Sequence, residues 1–61
     1  SAAHLIITKF KEQNLSQNEM REIIRGPQML NYLPTSVLDR YPDQRGPAIK
    51  KLRTIVYNRI T

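Results

Sequence analysis

The sequence predicts an all-α domain, because its apolar residues recur every three to four positions and do not alternate strictly over more than a few residues. Four prolines divide the 61 residues into short segments, which disfavours long helices packed side by side. We therefore expect a small, compact orthogonal bundle of three main helices plus one or two short helices. Residues 1–61 form one small domain at this length. Since the chain begins at Ser1 and not at Met, we expect it to be a fragment of a longer protein.

The first helix is predicted from about Ala2 to Gln13. It has one apolar stripe at helical spacing, formed by Ala3, Ile6, Ile7 and Phe10. Leu5 falls about 140° from the centre of this stripe, on the opposite side of the helix. Exposure of Leu5 therefore requires a reason, which is either a second packing partner or a binding surface.

The second helix, predicted for residues 17 to 25, has the strongest start signal in the chain. Ser16 and Glu19 have the spacing of a capping box, in which each side chain accepts a hydrogen bond from the other residue's backbone amide. Gly26 is predicted to end the helix in the left-handed conformation. The segment Leu15–Met20 resembles the opening of the first helix in a phage-repressor helix-turn-helix. In that motif the first helix is followed by an unbroken recognition helix. Pro27 and Pro34 do not permit such a helix here, so the resemblance assigns no DNA-recognition residue in this chain.

Prolines define the middle of the chain. Pro27 suits the first position of a short helix that continues to Leu33, because the amide that proline lacks would be unpaired there. Pro34 ends that helix. A further short helix follows, with Thr35 or Ser36 as its cap, and a loop leads from it to the last helix.

The last helix is predicted from Pro47 to about Arg59 and is the longest and most clearly amphipathic segment. Its apolar stripe is formed by Ile49, Leu52, Ile55, Val56 and Ile60. The net charge of +5 is concentrated in this part of the chain. Residues 1 to 43 contain equal numbers of basic and acidic residues, whereas residues 44 to 61 contain five basic residues and no acid. This asymmetry predicts a polyanionic or acidic partner at the C-terminal end, although a solvated helix face would give the same pattern.

Nucleic acid, DNA or RNA, is the first partner that this pattern predicts. Cations neutralise phosphates, tyrosine stacks on a base or bonds a phosphate, and asparagine reads an adenine edge. At about 20 Å the helix is long enough to lie in a major groove. The predicted contact residues are Arg45, Lys50, Lys51, Arg53, Tyr57 and Asn58.

A protein partner is the alternative. Small helical domains of this size often dock another chain, and a basic rim suits an acidic or amphipathic segment. The candidate apolar and aromatic patch for this function consists of Leu5, Met29, Tyr32 and Tyr41. Each of these side chains would equally suit the core.

The composition disfavours several other functions. The chain has no cysteine, a single histidine and two glycines, so we expect no enzyme active site, metal site, cofactor or small-molecule substrate. His4 is interpreted as an exposed or helix-capping side chain. No apolar run exceeds three residues, so no membrane span is expected. The lack of cysteine and of a targeting signal favours an intracellular location, in the cytoplasm or nucleus.

Overall fold

The fold was described from a computed structural model that covers residues 1–61. It contains five helices and no strand, with 72% of the residues helical. The helices are α1 (Ala2–Glu12), α2 (Gln17–Arg25), a 3₁₀ helix (Pro27–Tyr32), α3 (Thr35–Leu38) and α4 (Pro47–Ile60). The predicted small all-α bundle with three main helices is confirmed. None of the helices combines the length and the apolar character needed to cross a lipid bilayer.

The core lies where α4 packs against α1 and α2, and the 3₁₀ helix packs against the same two helices. Ten apolar side chains are buried there, and no polar or charged side chain is buried with them. Most of the predicted apolar stripes of α1 and α4 belong to this core, whereas Ile7, Ile55 and Ile60 are half-buried at its edge. The buried side chains are Ala3, Ile6, Phe10, Ile24, Met29, Leu30, Leu33, Ile49, Leu52 and Val56.

The end of α1 is closed by a backbone motif that the sequence analysis did not identify. The amide of Asn14 donates to the carbonyl of Lys11, and the amide of Leu15 donates to the carbonyl of Phe10. These two bonds define a Schellman motif, which requires a left-handed residue directly after the C-cap. Asn14 occupies that position with a φ of 52°.

The predicted capping box at the start of α2 is confirmed. The amide of Glu19 donates to the Ser16 hydroxyl at 3.2 Å, and the amide of Ser16 donates to the Glu19 carboxylate at 3.0 Å. The hydrogen bond from the Ser16 amide, followed by one from the Ser16 side chain, lowers the pKa of Glu19 below its ordinary value of 4.5. The α2 helix therefore begins where the sequence predicted, with a charged acceptor at its first turn.

The prediction of a left-handed Gly26 was wrong. Gly26 ends α2 in an extended conformation, with φ −98° and ψ 179°. The reason is Pro27, since the residue before a proline is driven to extended backbone. The predicted side-chain cap of α3 was also wrong. Its N-cap is Pro34, and neither Thr35 nor Ser36 supplies a capping hydrogen bond.

Helices α2 and α4 run in opposite directions along a shared line of contact. Gln17, at the start of α2, donates from Nε2 to the carbonyl of Ile60, at the end of α4, over 2.7 Å. At the other end, Nη1 of Arg53 donates to the carbonyls of Ile24 and, at 2.7 Å, Gly26. Side chains that lie far apart in sequence are thereby brought together along this line.

Candidate nucleic-acid interface

The basic residues of α4 meet a second set of basic residues along the line where α2 and α4 touch. We call this surface the α2–α4 seam and define it by Arg21, Arg25, Lys50, Arg53, Thr54 and Tyr57. A shallow, open depression of about 240 Å³, which we call the slot, lies within it. The slot is lined by Ile24, Arg25, Arg53, Thr54 and Tyr57. The seam therefore has an aromatic wall, an apolar contribution from α2 and arginines from both helices.

Arg53 forms part of the slot but is not a free surface cation. It is half-buried, and its guanidinium donates to two carbonyls at the C-terminal end of α2. The last carbonyls of a helix lack intrahelical partners and carry partial negative charge, so a cation there is favourable. Arg53 was predicted as a contact residue, and its first role in the structure is to join α4 to α2.

Tyr57 is 36% exposed and lies beside Arg21 of α2. The guanidinium carbon of Arg21 is 6.0 Å from the centroid of the Tyr57 ring, at the outer limit of a cation–π contact. The Nε of Arg21 is buried and has no hydrogen-bond partner. Arg21 therefore lies against the ring of Tyr57 with no hydrogen bond at its Nε.

Arg25 and Lys50 are the seam cations that are most open to solvent. The side chain of Arg25 is 68% exposed and lies 3.9 Å from Glu22, a separation typical of a weak surface ion pair. Lys50 is exposed one turn before Thr54, whose hydroxyl donates to the Lys50 carbonyl. Both cations are thus free to contact an anionic ligand.

The remaining predicted contact residues do not line the slot. Lys51 is exposed, but it lies about 120° from Tyr57 around α4. Asn58 is exposed close to Lys51 on the same outer side of the helix. Arg45 is exposed in the loop before α4, where its amide donates to the Asp43 carboxylate at 3.0 Å. The six residues predicted from the sequence are therefore divided among the seam, the outer side of α4 and the loop before it.

Three of the four residues in the alternative protein-binding patch are buried or half-buried. Met29 is fully buried, so its assignment to an exposed patch was wrong: the 3₁₀ helix directs this side chain into the core. Tyr32 is half-buried, forms an edge-to-face pair with Phe10 at 5.1 Å, and donates its hydroxyl to Gln13. Tyr41 is half-buried against the core. Leu5 alone is clearly exposed, at 38%.

Leu5 lines a groove of about 390 Å³ between α1 and the 3₁₀ helix. The other lining residues are Thr8, Lys9, Glu12, Asn31, Tyr32, Leu33 and Pro34. The charges in this groove are mixed, since Lys9 and Glu12 both lie in it. The groove offers apolar surface but no net charge preference.

Arg21 and Arg25 were not among the predicted contact residues, because both lie in residues 1–43, which carry no net charge. Their spacing was an available signal, since residues four apart share one face of a helix. That spacing does not reveal which helix the face will meet. The seam became visible only when the direction of α2 against α4 was known.

No cluster of three or more histidine, cysteine or acidic side chains is present that could bind a metal ion. No protein-family model, curated protein or solved structure matches this chain.

Proposed function

We propose that this chain is a non-catalytic binding module that contacts nucleic acid through the α2–α4 seam. The observation that carries the proposal is that Arg25 lines the slot together with Tyr57, while Arg21 lies against the Tyr57 ring. Lys50 adds an exposed cation on α4, about two turns before Tyr57. Arginine and lysine bind phosphates, and an aromatic ring offers a surface to a base. An intracellular location, where such a ligand is available, is part of the proposal.

Charge around the seam supports the same function. The C-terminal segment from residue 44 carries the whole net charge of +5, and the antiparallel packing adds two arginines from α2. Glu22 is the acid in contact with this set, through its long ion pair to Arg25. A phosphate competes well for Arg25 because surface ion pairs are worth little in water.

The test compares two double variants that remove the same charge from different places. Lys50→Ala with Arg25→Ala removes two exposed seam cations, and Lys9→Ala with Lys11→Ala removes two exposed cations from α1. Each protein is titrated with duplex DNA, single-stranded DNA and RNA at two salt concentrations. The seam variant should bind more weakly and lose about 0.7 to 0.9 of salt slope for each lost phosphate contact.

The α1 variant should retain most of the affinity, because its cations lie outside the seam. Equal losses in the two variants would mean that net charge alone attracts the ligand. Unchanged binding in the seam variant would contradict the proposal.

A protein partner that presents an acidic or amphipathic segment is the second candidate, and one observation favours it. Leu5 is a large apolar side chain exposed at the wall of the α1 groove. If this groove docks a partner, Leu5→Ala should speed dissociation of that partner, whereas the seam variant should chiefly slow association. Surface plasmon resonance with acidic amphipathic peptides separates the two effects. Binding unaffected by Leu5→Ala would exclude the groove.

A further inference from the structure

We infer that the slot in the α2–α4 seam receives an unpaired base of a single-stranded nucleic acid, with the flanking phosphates on Arg25 and Lys50. This inference rests on the proposed function and specifies its ligand. Its starting point is the combination of one aromatic side chain, one buried apolar side chain and the exposed Arg25 at a slot of about 240 Å³. The exposed Lys50 lies one turn before Thr54, which also lines the slot.

The width of the seam disfavours a duplex ligand. An α-helix with its side chains is about 10–12 Å across, and packed helices lie about 8–10 Å apart. The α2–α4 pair is therefore roughly 20 Å wide, whereas the major groove is about 12 Å wide. A slot in the middle of this pair does not reach base edges inside a groove.

The chemistry of the slot favours the face of a base. In a duplex, the base faces are covered by their neighbours and only the edges are accessible. In a single strand the faces are free to stack on aromatic side chains. Tyr57 offers a ring beside the slot, Arg21 packs against that ring, and Ile24 adds an apolar surface.

Two exposed cations of the seam are available to the flanking phosphates. Arg25 lines the slot from α2, and Lys50 is exposed on α4 one turn before Thr54. Arg53 is already bonded to the end of α2, so it stiffens the slot and is not needed for a phosphate. An acidic peptide would satisfy the two cations but would leave the ring of Tyr57 without a planar partner.

The experiment separates base contacts from phosphate contacts. Fluorescence anisotropy measures binding of an oligothymidylate of about ten nucleotides, an abasic oligomer of the same length and charge, and a duplex of the same length. The proteins are the unmodified chain, Tyr57→Ala, Tyr57→Phe and the seam double variant of Arg25 and Lys50. Thermal melts establish that each variant is folded, and Tyr57→Leu replaces Tyr57→Ala if the latter is not.

The unmodified chain should bind oligothymidylate more tightly than the abasic oligomer. Tyr57→Ala should lose about 10- to 100-fold on oligothymidylate and nothing on the abasic oligomer or the duplex. Tyr57→Phe should bind as the unmodified chain does, because the ring is retained. The Arg25 and Lys50 variant should weaken on all three ligands.

Other outcomes divide the two proposals. If Tyr57→Ala binds oligothymidylate normally while the Arg25 and Lys50 variant fails, the base slot is overturned and nucleic-acid binding stands. Preference of the unmodified chain for the duplex also overturns the slot. If the unmodified chain binds no nucleic acid and instead binds a polyglutamate peptide, both proposals fail and the seam is a site for acidic protein segments.

Discussion

Asn14 is the single non-glycine residue with a positive φ, and its position explains why an asparagine is found there. An L-residue in the left-handed region suffers a clash between Cβ and the following carbonyl, and asparagine tolerates it better than most residues do. The reversal between α1 and α2 depends on this one residue, since both bonds of the Schellman motif require it.

Asn14→Ala should destabilise the domain by about 1 kcal/mol, because alanine tolerates the left-handed region less well than asparagine does. For a domain of this size the melting temperature should fall by about 4–8 °C. Asn14→Gly is the control, since glycine adopts the left-handed region freely and should melt at or above the parent temperature. Equal melting of the alanine and glycine variants would show that the reversal does not need a left-handed residue.

Arg53 shows how a residue on the margin of a helical stripe acquires a structural role. A long side chain there can cross to a neighbouring helix, and here it reaches two carbonyls at the end of α2. We expect Arg53→Ala to lower the free energy of unfolding by about 1–3 kcal/mol, since partly buried acceptors lose a charged donor. Chemical denaturation measures this change.

Lys51→Ala is the matched control for Arg53→Ala, because Lys51 is exposed on the outer side of the same helix. It should change the free energy of unfolding by no more than about 0.5 kcal/mol. If the two variants unfold alike, the contacts of Arg53 with α2 contribute nothing to stability, and Arg53 returns to the set of free seam cations.

At the scale of the helices, the capping box at the start of α2 includes an ionisable group, the carboxylate of Glu19. Because hydrogen bonds from Ser16 lower the pKa of Glu19 in the folded chain, the ionised carboxylate stabilises the fold above its unfolded pKa. That contribution is lost as the pH falls through the lowered folded pKa. Glu19→Gln keeps an acceptor for the capping box but removes the titration.

The melting temperatures of the parent and of Glu19→Gln should therefore differ most near neutral pH and converge as the pH falls below the lowered folded pKa of Glu19. Thermal melts across this pH range measure the difference in melting temperature between the two proteins. The titration of the other carboxylates does not affect this difference, because both proteins contain them. A difference that stays constant with pH would mean that Glu19 ionises alike in the folded and unfolded chain.

The helices could be predicted because the residues that specify them are close together in the sequence. The predictions were wrong where neighbouring residues favour different backbone conformations. The capping box of Ser16 and Glu19 and the apolar stripe of α4 are fixed by residues within a few positions of each other. A glycine at the end of a helix predicts a left-handed residue at position 26. The following Pro27 instead drives the backbone of Gly26 to the extended region. At α3 the hydroxyl residues suggested a cap, but the chain enters that helix at Pro34.

At the scale of the whole molecule, the direction in which α2 packs against α4 could not be predicted from the residues of either helix. Nothing in either segment indicates that Gln17 will reach the end of α4 or that Arg53 will reach the end of α2. The antiparallel packing follows from how ten buried apolar side chains fill one small core. The contributions of Arg21 and Arg25 to the seam are a consequence of that packing, so these two of the six seam residues could not be predicted.

The small core also sets the scale of the largest mutational effect. Typical stabilities of about 0.05–0.15 kcal/mol per residue give roughly 3–9 kcal/mol for 61 residues. Leu52 is buried on α4, the helix that contacts both α1 and α2. Leu52→Ala removes buried methyl groups and should cost about 2–5 kcal/mol, a large fraction of that total.

Leu52→Ala should therefore leave the chain partly unfolded at room temperature, with loss of helical circular dichroism in a single transition, because one core serves all the helices. The exposed neighbour Lys51→Ala should retain the full helical signal. A loss of helix confined to α4, with amide protection preserved in α1 and α2, would show that these two helices are stable without it. In that case α4 would be an appended element, and the seam would form by docking of α4 onto a pre-existing pair rather than by folding of the whole domain.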